Sequence, residues 1–93
     1  MYIYLLDIEF RIDNAYTLKD KRRIVKSILD YVRNNLKISA AEIDYNDKVN
    51  YSHLAFVTIS NDNDEARGIL ENLLNRIYDN YPVEITSSNI DRI

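Results

Sequence analysis

YIYLLDIEFRI (residues 2–12) places apolar side chains at every even position, Tyr2, Tyr4, Leu6, Ile8, Phe10 and Ile12. The odd positions change character along the run, from Ile3 and Leu5 to Asp7, Glu9 and Arg11. A period of two predicts a strand with one fully buried face and a second face that is apolar at one end and charged at the other. DNAY breaks the alternation, and TLKDKRRIVKSILDYVRNNL (residues 17–36) changes to helical spacing. Thr17 with Asp20 reads as a capping box, in which each side chain satisfies a backbone N–H of the first turn. A helix is expected from about Leu18 to Leu36, with Leu18, Val25, Leu29, Val32 and Leu36 along one side and Ile24, Ile28 and Tyr31 widening it. A one-faced strand followed at once by an amphipathic helix calls for a two-layer fold.

Working outward, KISAAEIDY (37–45) reads as a second strand, NDKVN as a polar turn and YSHLAFVTIS (51–60) as a third strand, the two strands forming a hairpin. Asn61 or Asp62 is placed to cap a second helix whose apolar positions are Ala66, Ile69, Leu70, Leu73, Leu74, Ile77 and Tyr78. Pro82 ends it, and VEITSSNIDRI (83–93) supplies a fourth strand. The order βαββαβ predicts a single α+β domain over residues 1–93. Its expected form is a ferredoxin-like sandwich, with a four-stranded antiparallel sheet of order 4-1-3-2 and both helices on one face.

The composition narrows the chemistry. A chain of 93 residues without cysteine has no disulfide framework, no thiol nucleophile and no thiolate metal site. Met1 leads directly into strand-like sequence and the apolar runs are short, so a soluble, cytoplasmic protein away from membranes is expected. His53 stands alone. Asp7 with Glu9 and Glu42 with Asp44 are spaced to share a strand face, but the expected strand order keeps the two pairs apart. The one glycine, Gly68, falls inside the second helix, leaving no glycine-rich phosphate loop. No enzyme activity, metal or cofactor is expected.

The net charge of −3 conceals an asymmetry. Residues 1–37 carry eight Lys or Arg against five acids, whereas residues 38–93 carry four against ten. At about 100° per residue, Lys19, Arg22, Lys26, Arg33 and Lys37 share a stripe about 60° wide on the first helix, with Arg23 just beside it. Cations near a helix N-terminus oppose its dipole, and stability alone does not select such a stripe. It reads as a site for phosphates or an acidic surface, against the plainer alternative of a solvated helix face. Lys21 falls on the apolar side, where it either snorkels outward or pairs with a strand carboxylate.

On the sheet face away from the helices, the first strand offers no aromatic side chain and two acids, which argues against base stacking there. Tyr45 and Tyr51 flank the hairpin turn. Ile3 and Leu5, with apolar residues of the third strand, instead form a patch suited to self-association.

The segment TLKDKRRIVKSILDYVRNNLKISAAEID, followed by VTISND and an amphipathic helix, closely resembles the YlxP-like family of small bacterial proteins of unknown function. The similarity runs through nearly the whole chain, and Leu18-Lys19-Asp20-Lys21-Arg22-Arg23, Ala41-Glu42 and Ser60-Asn61-Asp62 carry it most specifically. The resemblance implies the same βαββαβ fold. Genes of that family often neighbour those for translation initiation and ribosome-maturation factors, which implies ribosomal RNA or a ribosomal subunit as partner. The family's basic signature falls here on Lys19, Lys21, Arg22 and Arg23. Where the family commonly has an Asp-Leu-Trp-Gln-Arg-like run, this chain has Asp47-Lys48-Val49-Asn50-Tyr51, so Lys48 and Tyr51 are the partner-loop residues left to substitute. The expected site is therefore Lys19, Lys21, Arg22, Arg23, Lys26, Arg33 and Lys37, with Lys48 and Tyr51. The alternative is a homodimeric module using the open sheet face.

Overall fold

A computed structural model describes residues 1–93. The alternating first segment is strand β1 (Tyr2–Ile12), and its even side chains from Tyr4 to Ile12 are buried. Helix α1 (Leu18–Tyr31) follows, and then β2 (Ser39–Asp44), β3 (Tyr51–Ser60), α2 (Asn63–Asn80) and β4 (Val83–Arg92). The sheet is antiparallel in the order β2-β3-β1-β4, the expected order read from its other edge. This is the ferredoxin-like arrangement. β1 is central and apolar on its inner face because it supplies the floor on which both helices pack. Leu6, Ile8 and Phe10 meet Val25, Ile28 and Val32 of the α1 layer and Ala66, Leu70, Leu73 and Ile77 of α2 in one core, joined by Leu54 and Phe56.

Both helix starts are closed by their own side chains. Thr17 Oγ1 accepts from the Asp20 amide at 3.1 Å, while Asp20 accepts from the amides of Tyr16 and Thr17 at 3.1 and 3.2 Å. Of the two candidate caps of α2, Asp62 takes the role, accepting from the amides of Asp64 and Glu65.

The end of α1 departs from the expected regular helix through Leu36. Val32–Leu36 form a π-helical turn, and Lys37 ends it in the left-handed region (φ 58) usually taken by glycine. The wider turn rotates each residue less than the α-helical angle. The stripe calculated at constant angle therefore does not extend to Arg33 and Lys37.

Two bulges shape the sheet. One lies on β4 opposite Glu9/Phe10 and the other on β2 between Glu42 and Asp44. The second separates residues expected to share a face: Glu42 points into the layer under α1, whereas the Asp44 carboxylate accepts from the Tyr45 amide at 2.7 Å. Tyr78 of α2, expected on the apolar side, is 71% exposed.

Candidate nucleic-acid interface

The segment Lys19–Arg23 sends its side chains in opposite directions. Lys21 is fully buried, and its ammonium lies 3.0 Å from Glu42 Oε2 and donates to the Tyr45 carbonyl. Ser52 Oγ donates to the same Glu42 oxygen at 2.6 Å. A charge removed from water is tolerated only when it is paired and hydrogen-bonded, and here both conditions hold. The expectation of Lys21 at the anion surface is thus corrected. Its position on the apolar arc and the inward turn of Glu42 make it a tie between α1 and the β2–β3 hairpin.

Lys19, Arg22 and Arg23 project outward and are exposed. The acid among them, Asp20, is committed to the cap. Its carboxyl is held below the usual 3.8 chiefly because the Tyr16 amide donates to it, with Thr17 and the charge of Arg23 adding to the effect. It therefore stays ionised through the neutral range without neutralising a neighbour by direct contact.

Most other cations already have partners. Arg11 bonds Glu84 at 2.7 Å, Lys26 bonds Asp30 at 2.5 Å and Arg67 bonds Glu71 at 2.6 Å. Arg76 lies over the Tyr31 ring at 3.9 Å and Arg92 over the Tyr2 ring at 4.7 Å. Arg33 turns back to donate to the Ala40 carbonyl of edge strand β2 at 2.7 Å, which removes it from the expected stripe. Lys37 lies beyond the π turn, at the far end of α1 from Lys19. Of the 12 Lys and Arg, those left without an ion pair, side-chain hydrogen bond or aromatic partner are Lys19, Arg22, Arg23, Lys37 and Lys48.

Four of these five, Lys19, Arg22, Arg23 and Lys48, lie on segments at the end of the molecule where α1 begins and the β2–β3 hairpin turns, with Arg23 on the side of Asp13, Asn14 and Pro82. The Tyr45 carbonyl that accepts from Lys21 also accepts from the Lys48 amide at 3.0 Å, so the hairpin turn is held against the first turn of α1. Lys48 is exposed on that turn. Tyr51 is instead committed to the sheet: its hydroxyl is 2.5 Å from Thr86 Oγ1, and its ring meets Tyr45 edge-on at 4.8 Å. Tyr45 adopts φ 65, unfavourable for a bulky residue, and is held there by that ring contact and the carbonyl's two donors. The neighbouring Glu9 carboxylate raises the Tyr45 phenol above its ordinary 10.0, so the ring stays neutral.

The open face of the sheet separates into two halves. Asp7, Glu9, Arg11, His53 and Tyr51 occupy one, and Ile3, Leu5, Val57 and Ile59 occupy the other. His53 Nε2 lies 3.3 Å from Asp7 Oδ1 and is buried without a hydrogen-bond partner.

A family model described as "Protein of unknown function (DUF503)" matches residues 3–90. The chain belongs to the DUF503 family. No curated protein matches it. No helix is long and apolar enough to cross a membrane.

Proposed function

We propose that this is a non-enzymatic binding protein of the cytoplasm that engages the phosphate backbone of structured RNA through Lys19, Arg22, Arg23 and Lys48. The observation that carries this reading is that four of the five unpartnered cations sit on segments at the end of the molecule where α1 begins, while most other cations are internally engaged. Such contacts fix position without reading base sequence. The resemblance to the YlxP-like family supports ribosomal RNA, or a ribosomal subunit, as the source of those phosphates.

The test is binding to ribosomal particles and to a purified ribosomal RNA helix across a salt series. Wild type is expected to lose affinity with a slope of about −3 against log salt, the value for four phosphate contacts at about 0.7–0.9 each. A Lys19→Glu, Arg22→Glu, Arg23→Glu variant is expected to lose binding while keeping its circular dichroism. Arg33→Gln is expected to bind as wild type. Salt-independent binding, or equal loss from Arg33→Gln and the triple variant, would overturn the assignment.

A further inference from the structure

A cavity of about 210 Å³ opens beside the cationic start of α1, between the loop that follows β1 and Pro82 ahead of β4. Ile12, Ile24 and Pro82 line it with carbon, and Asp13, Asp20 and Arg23 bring charge to it. Asp20 is engaged in the helix cap. Asp13 and Arg23 are different: neither side chain forms a hydrogen bond or ion pair, and although they line one cavity they do not pair with each other. Opposite charges that share a cavity without closing on one another leave room for a group between them. At the edge of the same cavity stands Tyr16, 78% exposed, its amide donating to Asp20 and its hydroxyl 3.4 Å from Asn14 Oδ1.

The charges select the ligand. A surface made only for phosphates gains nothing from a free carboxylate among its cations, because Asp13 repels the oxygens that Arg23 attracts. The pair instead suits a ligand that brings N–H donors to one side and acceptors to the other. Among the four RNA bases, guanine alone carries two adjacent donors, N1–H and N2–H, and two adjacent acceptors, O6 and N7, which a carboxylate and a guanidinium each engage two at a time. The volume agrees, lying below the roughly 300–1,000 Å³ of pockets for drug-sized ligands and suiting a single ring system.

On the basis of the RNA-binding reading above, we propose that this cavity takes one unpaired guanine of the bound RNA, with Asp13 accepting from N1–H and N2–H and Arg23 donating to O6 and N7. Tyr16 supplies an aromatic face at the mouth, as side chains do for bases splayed from bulges and loops. Arg23 serves base and backbone together, since a guanidinium has five N–H donors and the base takes two. Lys19, Arg22 and Lys48 hold the flanking phosphates. The site thus adds a base reader to contacts that by themselves carry no sequence information.

The test compares purified RNA helices that differ only in one bulged nucleotide, guanine, inosine, adenine, cytosine, uracil or none, at a fixed salt concentration. Wild type is expected to bind the guanine bulge at least about tenfold more tightly than the others, the discrimination of one bidentate contact. Inosine, which lacks N2–H, is expected to fall with the weaker group. Asp13→Asn is expected to abolish the preference while strengthening binding to every helix slightly, because it removes a negative charge from the surface. Asp91→Asn removes the same charge from the open sheet face and is expected to keep the preference. Equal binding of all bulges, or a guanine preference that survives Asp13→Asn, overturns the guanine site and leaves the cationic surface standing. Competition by guanosine monophosphate at the concentration of the RNA also overturns it, by identifying a free nucleotide as the occupant. Failure to bind any of the helices overturns both readings together.

Discussion

The two helices begin in chemically opposite ways. At the start of α2, Asp62 caps the helix and Asp64 and Glu65 occupy its first turn, so cap, dipole and charge all act in the same sense. At the start of α1 the cap is equally complete, but Lys19, Lys21, Arg22 and Arg23 surround its single acid, Asp20. The difference separates two requirements on a helix end. Satisfying the backbone is common to both, whereas the choice of surrounding charge is free. At α1 that freedom is used against local stability: three cations face outward, and the inward one, Lys21, ties the helix to the hairpin.

The sharpest way to break this comparison is at Lys21, which has no counterpart in α2. Lys21→Ala leaves the partly buried Glu42 without its cation, and a loss of about 3 kcal/mol in urea unfolding is expected. Lys21→Met combined with Glu42→Leu removes both charges, and much of that stability is expected to return. A double variant as unstable as Lys21→Ala would show that the pair itself, and not the orphaned carboxylate, sets the effect.

The shared part of the comparison comes next in size. Thr17→Ala and Asp62→Ala are each expected to cost about 1 kcal/mol, since each removes the side chain that accepts from the first-turn amides. The depressed pKa of Asp20 adds stability that is present above its unfolded value near 3.8 and is lost as pH falls through the lower folded value. An Asp20→Asn variant is therefore expected to show a flatter decline in thermal midpoint below about pH 4, the range set by ordinary carboxylates.

The smallest effect concerns charge alone. Arg22→Glu is expected to raise stability by about 0.3–1 kcal/mol, because it brings the first turn of α1 closer to that of α2. The same substitution is expected to weaken RNA binding. A variant both more stable and less able to bind would show directly that the two helix ends are tuned to different tasks.

Much of the fold was legible because every even position of β1 from Tyr2 to Ile12 is apolar, and because Thr17, Asp62 and Pro82 punctuate the helices. The cationic site was only partly legible. A wheel of constant angle assumes a regular helix, and nothing in VRNNL announces the π turn that redirects Arg33 and Lys37. The pairing of Lys26 with Asp30 was available from their spacing of four residues. Lys21 and a strand carboxylate as its partner were signalled by its place on the apolar arc, but which carboxylate was not. Glu42 faces inward in regular register opposite buried Leu54, and what the pattern of two does not show is the bulge that turns Asp44 away from it. Lys48 was named through the family resemblance, whereas its place beside the start of α1 follows from the Tyr45 carbonyl, which no side-chain pattern reports.

The central position of β1 has a consequence for synthesis. Glu9 and Thr86 are hydrogen-bonded although 77 residues apart, and β1 pairs along its length with β4 as well as β3. On the ribosome, β1 is made first and its second neighbour last. Until β4 emerges, a strand with the apolar face YIYLLDIEF has one edge open to any other extended chain. Pairing of β4 with β1, and not formation of either helix, closes that edge.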